Sequence, residues 1–189
     1  MSALIRDYQE ELISAIRTVD EAEFGRFMDL LADTWRRDGQ VFIAGNGGSA
    51  ASANHFVCDF GKNAVPWDMR RFRIHSLSDN VEVITALGND IAFDQIFTFQ
   101  LGNLMREGDL LIAVSASGNS PNIVSACRYM KEHGGRVAAL SGFGGGAICE
   151  GADVKFVTDM RSYERIEDLH MMILHMTVCW FKANYGSLA

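Results

Sequence analysis

The sequence lacks the features of a membrane protein and of a disulfide-stapled one. No apolar run in its 189 residues reaches the ~18 that a membrane-spanning helix needs. Its four cysteines are scattered and form no CxxC pair, which indicates reduced thiols and argues against a disulfide framework or a zinc knuckle. The N-terminal residues are charged and amphipathic, so we expect no secretory signal there. We therefore expect a cytoplasmic protein without a membrane partner.

Positive charge is also scarce. Lys and Arg total 17 against 24 Asp and Glu, a formal net charge of -7. Because a phosphate backbone demands a basic face, this charge argues against nucleic acid as the main ligand. Neither nucleotide fingerprint is present, since there is no GxGxxG and no GxxxxGK[ST]. Repeats and linkers are absent as well, so we expect one domain over 1–189.

Glycine and serine are concentrated in two loops, residues 45–49 and 115–120, each between a short apolar strand and a helix. Such loops offer backbone N–H groups, hydroxyls and the positive end of a helix dipole, which together hold an anion such as phosphate. Serine hydroxyls replace the lysine of a nucleotide loop, which favours a small phosphorylated metabolite. The alternative is that both loops are merely tight strand-to-helix turns.

Hydrophobic periodicity predicts a doubly wound α/β/α sandwich around a five-stranded parallel sheet, preceded by two N-terminal helices. The second of these helices has Asp20 as its N-cap and ends at Asp38-Gly39. Strands apolar on both faces are typical of a parallel sheet covered by helices, and ligands of such sheets sit at the carboxyl ends of the strands. We expect strands near 40–45, 71–77, 109–115, 136–141 and 154–158, and later helices near 49–60, 92–106, 121–133 and 164–184.

The two opening helices, residues 1–38, lie outside the repeating strand-helix pattern and carry large apolar side chains. Long helices outside a small α/β domain often bury themselves against another subunit, so we expect an oligomer that uses this segment. The alternative is that these helices only cover the chain's own sheet.

Ionisable side chains suited to chemistry occur on two helices. His55 and Asp59 are four residues apart, so they share one face of the helix that starts at Ser49. Two imidazoles and two carboxylates from two helices would suit zinc or a similar divalent ion. A buried histidine held by a structural partner is the simpler alternative. The last helix carries Glu167, Asp168, His170 and His175, and geometry alone does not choose which of them faces inward.

A further polar pair, Asn89 and Asp90, follows a loop that starts at Ser78-Asp79-Asn80. Amide and carboxylate side chains suit the hydroxyls of a sugar. Helix capping uses the same residue types, so the pair by itself supports either role.

These residues also occur in the order of a known family's motifs. Asn46-Gly47-Gly48-Ser49 with His55, then Gly88-Asn89-Asp90, the 115–120 loop, and Glu167 with His175 together resemble the sugar isomerase (SIS) domain. More narrowly, nearly the whole chain resembles the phosphoheptose isomerases, which convert sedoheptulose 7-phosphate to a heptose 7-phosphate for bacterial surface sugars. The resemblance implies a cytoplasmic aldose–ketose isomerase and a homotetramer with active sites at subunit interfaces.

The resemblance also implies a zinc ion and roles for individual residues. It places the zinc ligands at His55, Asp59, Glu167 and His175, and gives Asp59 and His175 the catalytic proton transfer. It places substrate binding at Asn46, Gly47, Gly48, Ser49, Asn89, Asp90, Ser115, Ser117, Asn119, Ser120 and Glu167.

Four positions depart from the family pattern. Asp59 stands for a glutamate and Glu167 for a glutamine, and the shorter Asp59 loses about 1.5 Å of reach, enough to spoil a proton transfer unless the backbone shifts. Ala116 stands for a threonine, and Asn63 for an arginine. These changes suggest a divergent branch that acts on a related sugar phosphate.

Two other functions fit the same resemblance. SIS folds occur in sugar-phosphate-binding regulators, and one relative of the phosphoheptose isomerases associates with the bacterial replication initiator, so a non-catalytic scaffold or regulator is one alternative. An aminosugar isomerase or epimerase is the other, with Glu167 or Asp168 as a base that needs no metal. The retained His55 and His175 favour the enzyme, because a scaffold needs no such set.

Overall fold

Five parallel strands form one sheet in the computed structural model, which describes residues 1–188. Their order is β2-β1-β3-β4-β5, and every neighbouring pair is parallel. The order reverses between β1 and β3, so the carboxyl ends of these two strands flank the place where doubly wound folds bind ligands. The predicted fold class is confirmed. The strands are β1 Gln40–Ala44, β2 Arg73–Ser76, β3 Leu110–Ser115, β4 Arg136–Ser141 and β5 Val154–Val157.

Helices cover both faces of the sheet. Helices α1, α2, α3 and α7 lie on one face, and α4, α5 and α6 lie on the other. Helix α4 was not predicted from the sequence. It begins after Asn80, whose side chain accepts a hydrogen bond from Val83 N at 2.9 Å. The helices are α1 Ser2–Ile16, α2 Glu21–Arg36, α3 Gly48–Asn63, α4 Val81–Asp90, α5 Ile96–Leu104, α6 Pro121–Glu132 and α7 Tyr163–Asn184.

The central strands divide their side chains between two cores. Val41 and Ile43 of β1 enter the core under α2, α3 and α7, whereas Phe42 and Ala44 enter the core under α4 to α6. This division follows from the two-residue period of a strand. All five residues of β1 are buried, which explains why an apolar run with no alternation still forms a strand here.

The two N-terminal helices have different environments. Asp20 caps α2 as predicted, since its carboxylate accepts from the backbone N–H groups of Ala22 and Glu23 at 2.7 and 3.1 Å. Side chains of α2 such as Phe27 and Leu31 are fully buried, so α2 covers the chain's own sheet. Helix α1 is different, because within residues 1–188 Ala15 is its one buried residue.

The structure bears on two expectations from the sequence, one about membrane-spanning helices and one about disulfides. None of the helices over residues 1–188 combines the length and the apolar character that crossing a membrane requires. The cysteines Cys58, Cys127, Cys149 and Cys179 are all free thiols, as their scattered spacing predicts.

Candidate active site

The first glycine-rich loop connects β1 to α3, and two of its glycines are required by close contacts. A side chain at Gly45 would come within 2.5 Å of the Ser49 backbone. A side chain at Gly48, the first residue of α3, would overlap the carboxylate of Glu167 from α7. The loop therefore lets α3 and α7 approach each other where α3 begins. It leaves Ser49 almost fully buried in the first turn of α3.

The second loop connects β3 to α6 and is held by its own polar side chains. The hydroxyls of Ser115 and Ser120 lie 3.2 Å apart, and the Ser117 hydroxyl accepts from Asn119 N at 3.2 Å. The Asn119 side chain accepts from Ala147 N at 3.0 Å, which ties the loop to the segment after β4. Helix α6 begins at Pro121, as predicted.

A pair of amides joins the two loops. Asn46 and Asn122 exchange two side-chain hydrogen bonds, each 2.9 Å long. The loops thereby form the walls of one cleft of about 180 Å³. Its lining is formed by Asn46, Ser49, Val114, Ser115, Ala116, Ser117, Ser120, Tyr163 and Glu167.

Two residues of this cleft region, Asn122 and Tyr163, were not singled out from the sequence. Asn122 follows the proline that starts α6, and Tyr163 is the first residue of α7. Their positions at the start of a helix are the sequence feature that could have identified them. Nothing local in the sequence indicates that Asn122 pairs with Asn46, because 76 residues separate the two.

Three side chains from α3 and α7 form a second polar group. The Nε2 atoms of His55 and His175 lie 3.0 Å apart. Asp59 Oδ2 lies 3.4 Å from His55 Nε2 and 3.8 Å from His175 Nε2. Two imidazole nitrogens this close need a proton or a cation between them, because facing lone pairs repel.

The donor set of this group fits a divalent metal ion. The potential ligand atoms of His55, Asp59 and His175 all lie within 4.8 Å of one another, and the three side chains are partly exposed. Two imidazoles and one carboxylate are ligands that zinc accepts, and catalytic zinc sites keep a fourth position for water or substrate. The residues present therefore fit such an ion.

The structure separates the α7 residues Glu167, Asp168, His170 and His175. Glu167 lies against Gly48 in the loop cleft, outside the group formed by His55, Asp59 and His175. Burial raises the pKa of the Glu167 carboxyl, and the nearby acids Glu164 and Asp168 raise it further. The acid in the cleft therefore binds a proton more readily than an exposed glutamate.

Asp168 and His170 do not line the loop cleft. Asp168 accepts a hydrogen bond of 2.5 Å from the Tyr8 hydroxyl of α1, which raises the pKa of Tyr8 to about 12. His170 is buried and lines a separate cavity with Ser141 and Phe156, near β4 and β5.

Asn89 and Asp90 lie elsewhere. They are the last two residues of α4, both are exposed, and Asn89 donates to Asp90 at 2.7 Å. Neither residue lines the loop cleft, and the loop expected before them is helical. The described residues place this pair at a helix end, away from the serine hydroxyls.

Comparison with known proteins gives a consistent result. Residues 6–142 match the SIS domain. The phosphoheptose isomerase of Campylobacter concisus is 39% identical over 150 residues, which cover 79% of this chain and 78% of that protein. The phosphoheptose isomerase of Aliarcobacter butzleri is 31% identical over 181 residues, or 94% of each chain. The structure of phosphoheptose isomerase GmhA from Neisseria gonorrhoeae matches with a TM-score of 0.87 at 28% identity, covering 96% of this chain and 98% of that one.

Proposed function

The chain belongs to the SIS-domain family and to its phosphoheptose isomerases, and we propose that it isomerises sedoheptulose 7-phosphate to a heptose 7-phosphate. One observation carries this proposal: a cleft suited to phosphate and a group suited to acid–base chemistry share the helices α3 and α7. Along α3, six residues separate Ser49 from His55, or about 9 Å at 1.5 Å per residue. That length is comparable to the distance from phosphorus to C2 in an extended seven-carbon sugar phosphate.

The two loops would hold the phosphate. Ser115, Ser117 and Ser120 place three hydroxyls in the cleft, and Ser49 adds a fourth from the start of α3. The first residues of α3 and α6 also direct the positive ends of two helix dipoles toward the region of the loops. Binding at this remote end fixes the reacting carbons against the acid–base group. The backbone of the two loops would be shaped by Gly47, Gly48 and Asn119. Asn46 would orient the first loop, which connects β1 to α3.

Glu167 would be a further polar contact in the same cleft, because its carboxylate lies against Gly48 beside Ser49. A carboxylate beside a phosphate costs binding energy through charge repulsion, and the raised pKa of Glu167 reduces that cost. A protonated Glu167 donates to a hydroxyl or phosphate oxygen, as the glutamine expected there would. We place Asn89 and Asp90 outside the substrate contacts of a single chain.

A zinc ion would be held by His55, Asp59 and His175, with Glu167 too far along α7 to join them in this arrangement. When bound, such an ion supplies Lewis-acid polarisation of the sugar carbonyl. The histidines also hold Asp59 in place, because its Oδ2 faces both imidazole Nε2 atoms.

Asp59 and His175 would carry the proton. In the ketose-to-aldose direction one proton leaves C1 and one is added to C2, while a hydroxyl proton passes from O1 to O2. The Asp59 carboxylate would take the proton from C1, exchange it with solvent, and deliver a proton to C2 on the same face of the enediol. The His175 ring nitrogen that does not bind the ion would exchange the hydroxyl proton between the two oxygens.

Deuterium incorporation tests the proposal. Sedoheptulose 7-phosphate in D2O is followed by proton NMR with purified protein, after chelation, and after zinc is restored. We expect aldose signals with deuterium at C2 that disappear on chelation and return with zinc. Broadening of the phosphorus signal without conversion would instead support a sugar-phosphate-binding regulator or scaffold. Conversion that survives chelation would favour the metal-free reaction with Glu167 or Asp168 as base.

We also propose a homo-oligomer, a tetramer as the resemblance implies, in the cytoplasm and in heptose biosynthesis. Support for assembly comes from α1, where Leu4, Ile5 and Ile13 are 64%, 53% and 48% exposed. Apolar side chains in that number on one short helix are typical of a subunit contact. The oligomerisation segment would then be α1, within the predicted range 1–38, while α2 serves the chain's own core.

A further inference from the structure

Tyr163, the first residue of α7, lines the loop cleft together with Glu167. The two residues are four positions apart, so their side chains leave the helix on the same face. Tyr163 is 56% exposed, and among residues 1–188 its hydroxyl makes no hydrogen bond. The phenol is therefore accessible to a molecule that enters the cleft.

The position of Tyr163 along α7 places it at the end of the cleft that would hold phosphate. His175 follows Tyr163 by twelve residues, or about 18 Å along a helix that rises 1.5 Å per residue. The hydroxyl groups of Ser49, Ser115 and Ser117 line the same cleft as Tyr163. Tyr163 is therefore close to the serine loops and remote from the group that would move the protons.

The lining of the cleft contains no cationic side chain to balance a phosphate group. Of the nine lining residues within 1–188, none is a lysine or an arginine, and Glu167 is an acid. Phosphate binding there would depend on uncharged donors and on helix dipoles. A phenol O–H is such a donor, because it forms a hydrogen bond to a phosphate oxygen without bringing a negative charge into the cleft.

A second aromatic ring supports Tyr163. The ring centroids of Phe143 and Tyr163 lie 5.1 Å apart with 58° between the ring planes, a separation typical of favourable aromatic pairs. Phe143 follows β4, and its backbone N–H donates to the Met160 carbonyl at 3.1 Å. Within the described chain, Phe143 does not line the cleft. Its ring therefore packs on Tyr163 from outside the cleft and restricts where the phenol can lie.

We propose that Tyr163 is a further substrate-binding residue, whose hydroxyl donates a hydrogen bond to the phosphate group of the substrate. The ring covers the phosphate from the side of α7, opposite the two serine loops. This inference rests on the proposed function, since it takes the cleft to be the phosphate site. It concerns binding only, because Tyr163 is too far from His175 to take part in proton transfer.

Binding of inorganic phosphate tests the proposal without any turnover. Phosphate is titrated with the full-length protein and followed by phosphorus NMR line broadening. Tyr163→Phe removes the hydroxyl and keeps the ring that packs on Phe143, and we expect Kd to rise about fivefold or more. Tyr185→Phe makes the same change at a 40% exposed residue beyond the other end of α7 and should leave Kd unchanged. Equal Kd values for Tyr163→Phe and the natural protein would overturn the proposal.

Steady-state kinetics with sedoheptulose 7-phosphate separate binding from chemistry. In Tyr163→Phe we expect KM to rise by the same factor while kcat stays within about twofold, because a remote contact is equally strong in the ground state and the transition state. A lower kcat with unchanged KM would overturn the proposal. So would a lower mass of Tyr163→Phe by light scattering, which would assign the residue to a subunit contact. Saturable phosphate binding without conversion by the natural protein would contradict the isomerase function alone.

Discussion

The Nε2 atoms of His55 and His175 lie 3.0 Å apart, although 120 residues separate them in the chain. Helices α3 and α7 pack against each other on the same face of the sheet, and Asp59 lies between them, 3.4 Å from one ring and 3.8 Å from the other. This packing converts two unremarkable histidines into a site with defined chemistry.

Two substitutions of Asp59 should show whether its charge or the length of its side chain is required for activity. We expect Asp59→Asn to lower kcat by about 10²- to 10⁴-fold with little change in KM, because the carboxylate that takes the proton is removed. Asp59→Glu keeps the charge and should retain activity. Asp68→Asn removes an exposed carboxylate of the same kind and is the control. Steady-state kinetics measure all three, and an active Asp59→Asn enzyme would contradict the assigned role.

Zinc binding should distinguish Glu167 from the three clustered residues. His55→Ala and His175→Ala each remove one ligand, and we expect affinity to fall at least about tenfold, as measured by competition with a chelator. Glu167→Ala should bind zinc almost as the natural protein does, because Glu167 lies against Gly48. His133→Ala serves as the control at an exposed helix end. A large loss in Glu167→Ala would show that α7 rearranges to bring a fourth ligand to the ion.

The contact between Gly48 and Glu167 predicts a specific sensitivity in the cleft. Gly48→Ala adds a methyl group where the Glu167 carboxylate lies, so that side chain must move. We expect KM for the sugar phosphate to rise at least about tenfold. Gly25→Ala, a position in α2 with open space around it, should leave KM unchanged and stabilise the fold by about 0.5–1 kcal/mol. Unchanged KM in Gly48→Ala would show that Glu167 does not contact the substrate.

We expect the free energy of unfolding to decrease as the pH falls below neutral, because of His170. Its folded-state pKa is lowered to about 4 from 6.5 by burial, so the unfolded chain binds a proton that the folded chain does not. The free energy of unfolding is therefore highest above pH 6.5 with respect to this residue, and it decreases as the pH falls toward 4. Urea unfolding across this range should show a flatter pH profile in His170→Leu than in the control His133→Leu. Identical slopes would contradict this contribution.

Assembly should depend on the exposed apolar residues of α1. Ile5→Glu places a charge at a side chain that is 53% exposed, and we expect light scattering to show dissociation into smaller species. Gln9→Glu adds the same charge to the same helix and should leave the mass unchanged. Because α1 also contacts α7 through the Tyr8–Asp168 hydrogen bond, activity and mass should be measured together. An Ile5→Glu protein of natural mass would remove α1 from the interface.

The order of apolar, glycine and serine residues is sufficient to predict the layered fold and both Gly/Ser loops. Buried parallel strands such as β3 are continuous apolar runs, and strand-to-helix turns that hold anions require glycine and small hydroxyl residues, so both can be recognised locally. The cap at Asp20 and the helix start at Pro121 were predictable for the same reason. Helix α4 was missed because Asn80, its cap, also suits a loop.

Which side chains meet depends on the packing of elements that are distant in the chain. Glu167, Asp168, His170 and His175 follow one another on a single helix, yet they contact the loop cleft, α1, an internal cavity and α3 respectively. Helical geometry fixes the direction in which each of these side chains leaves α7. What each side chain contacts depends on how α7 packs against other elements, which include helices more than 100 residues away in the chain. The same packing assigned α2 to the core and left α1 exposed. Local sequence predicts most of the elements, whereas the contacts between distant elements produce the site.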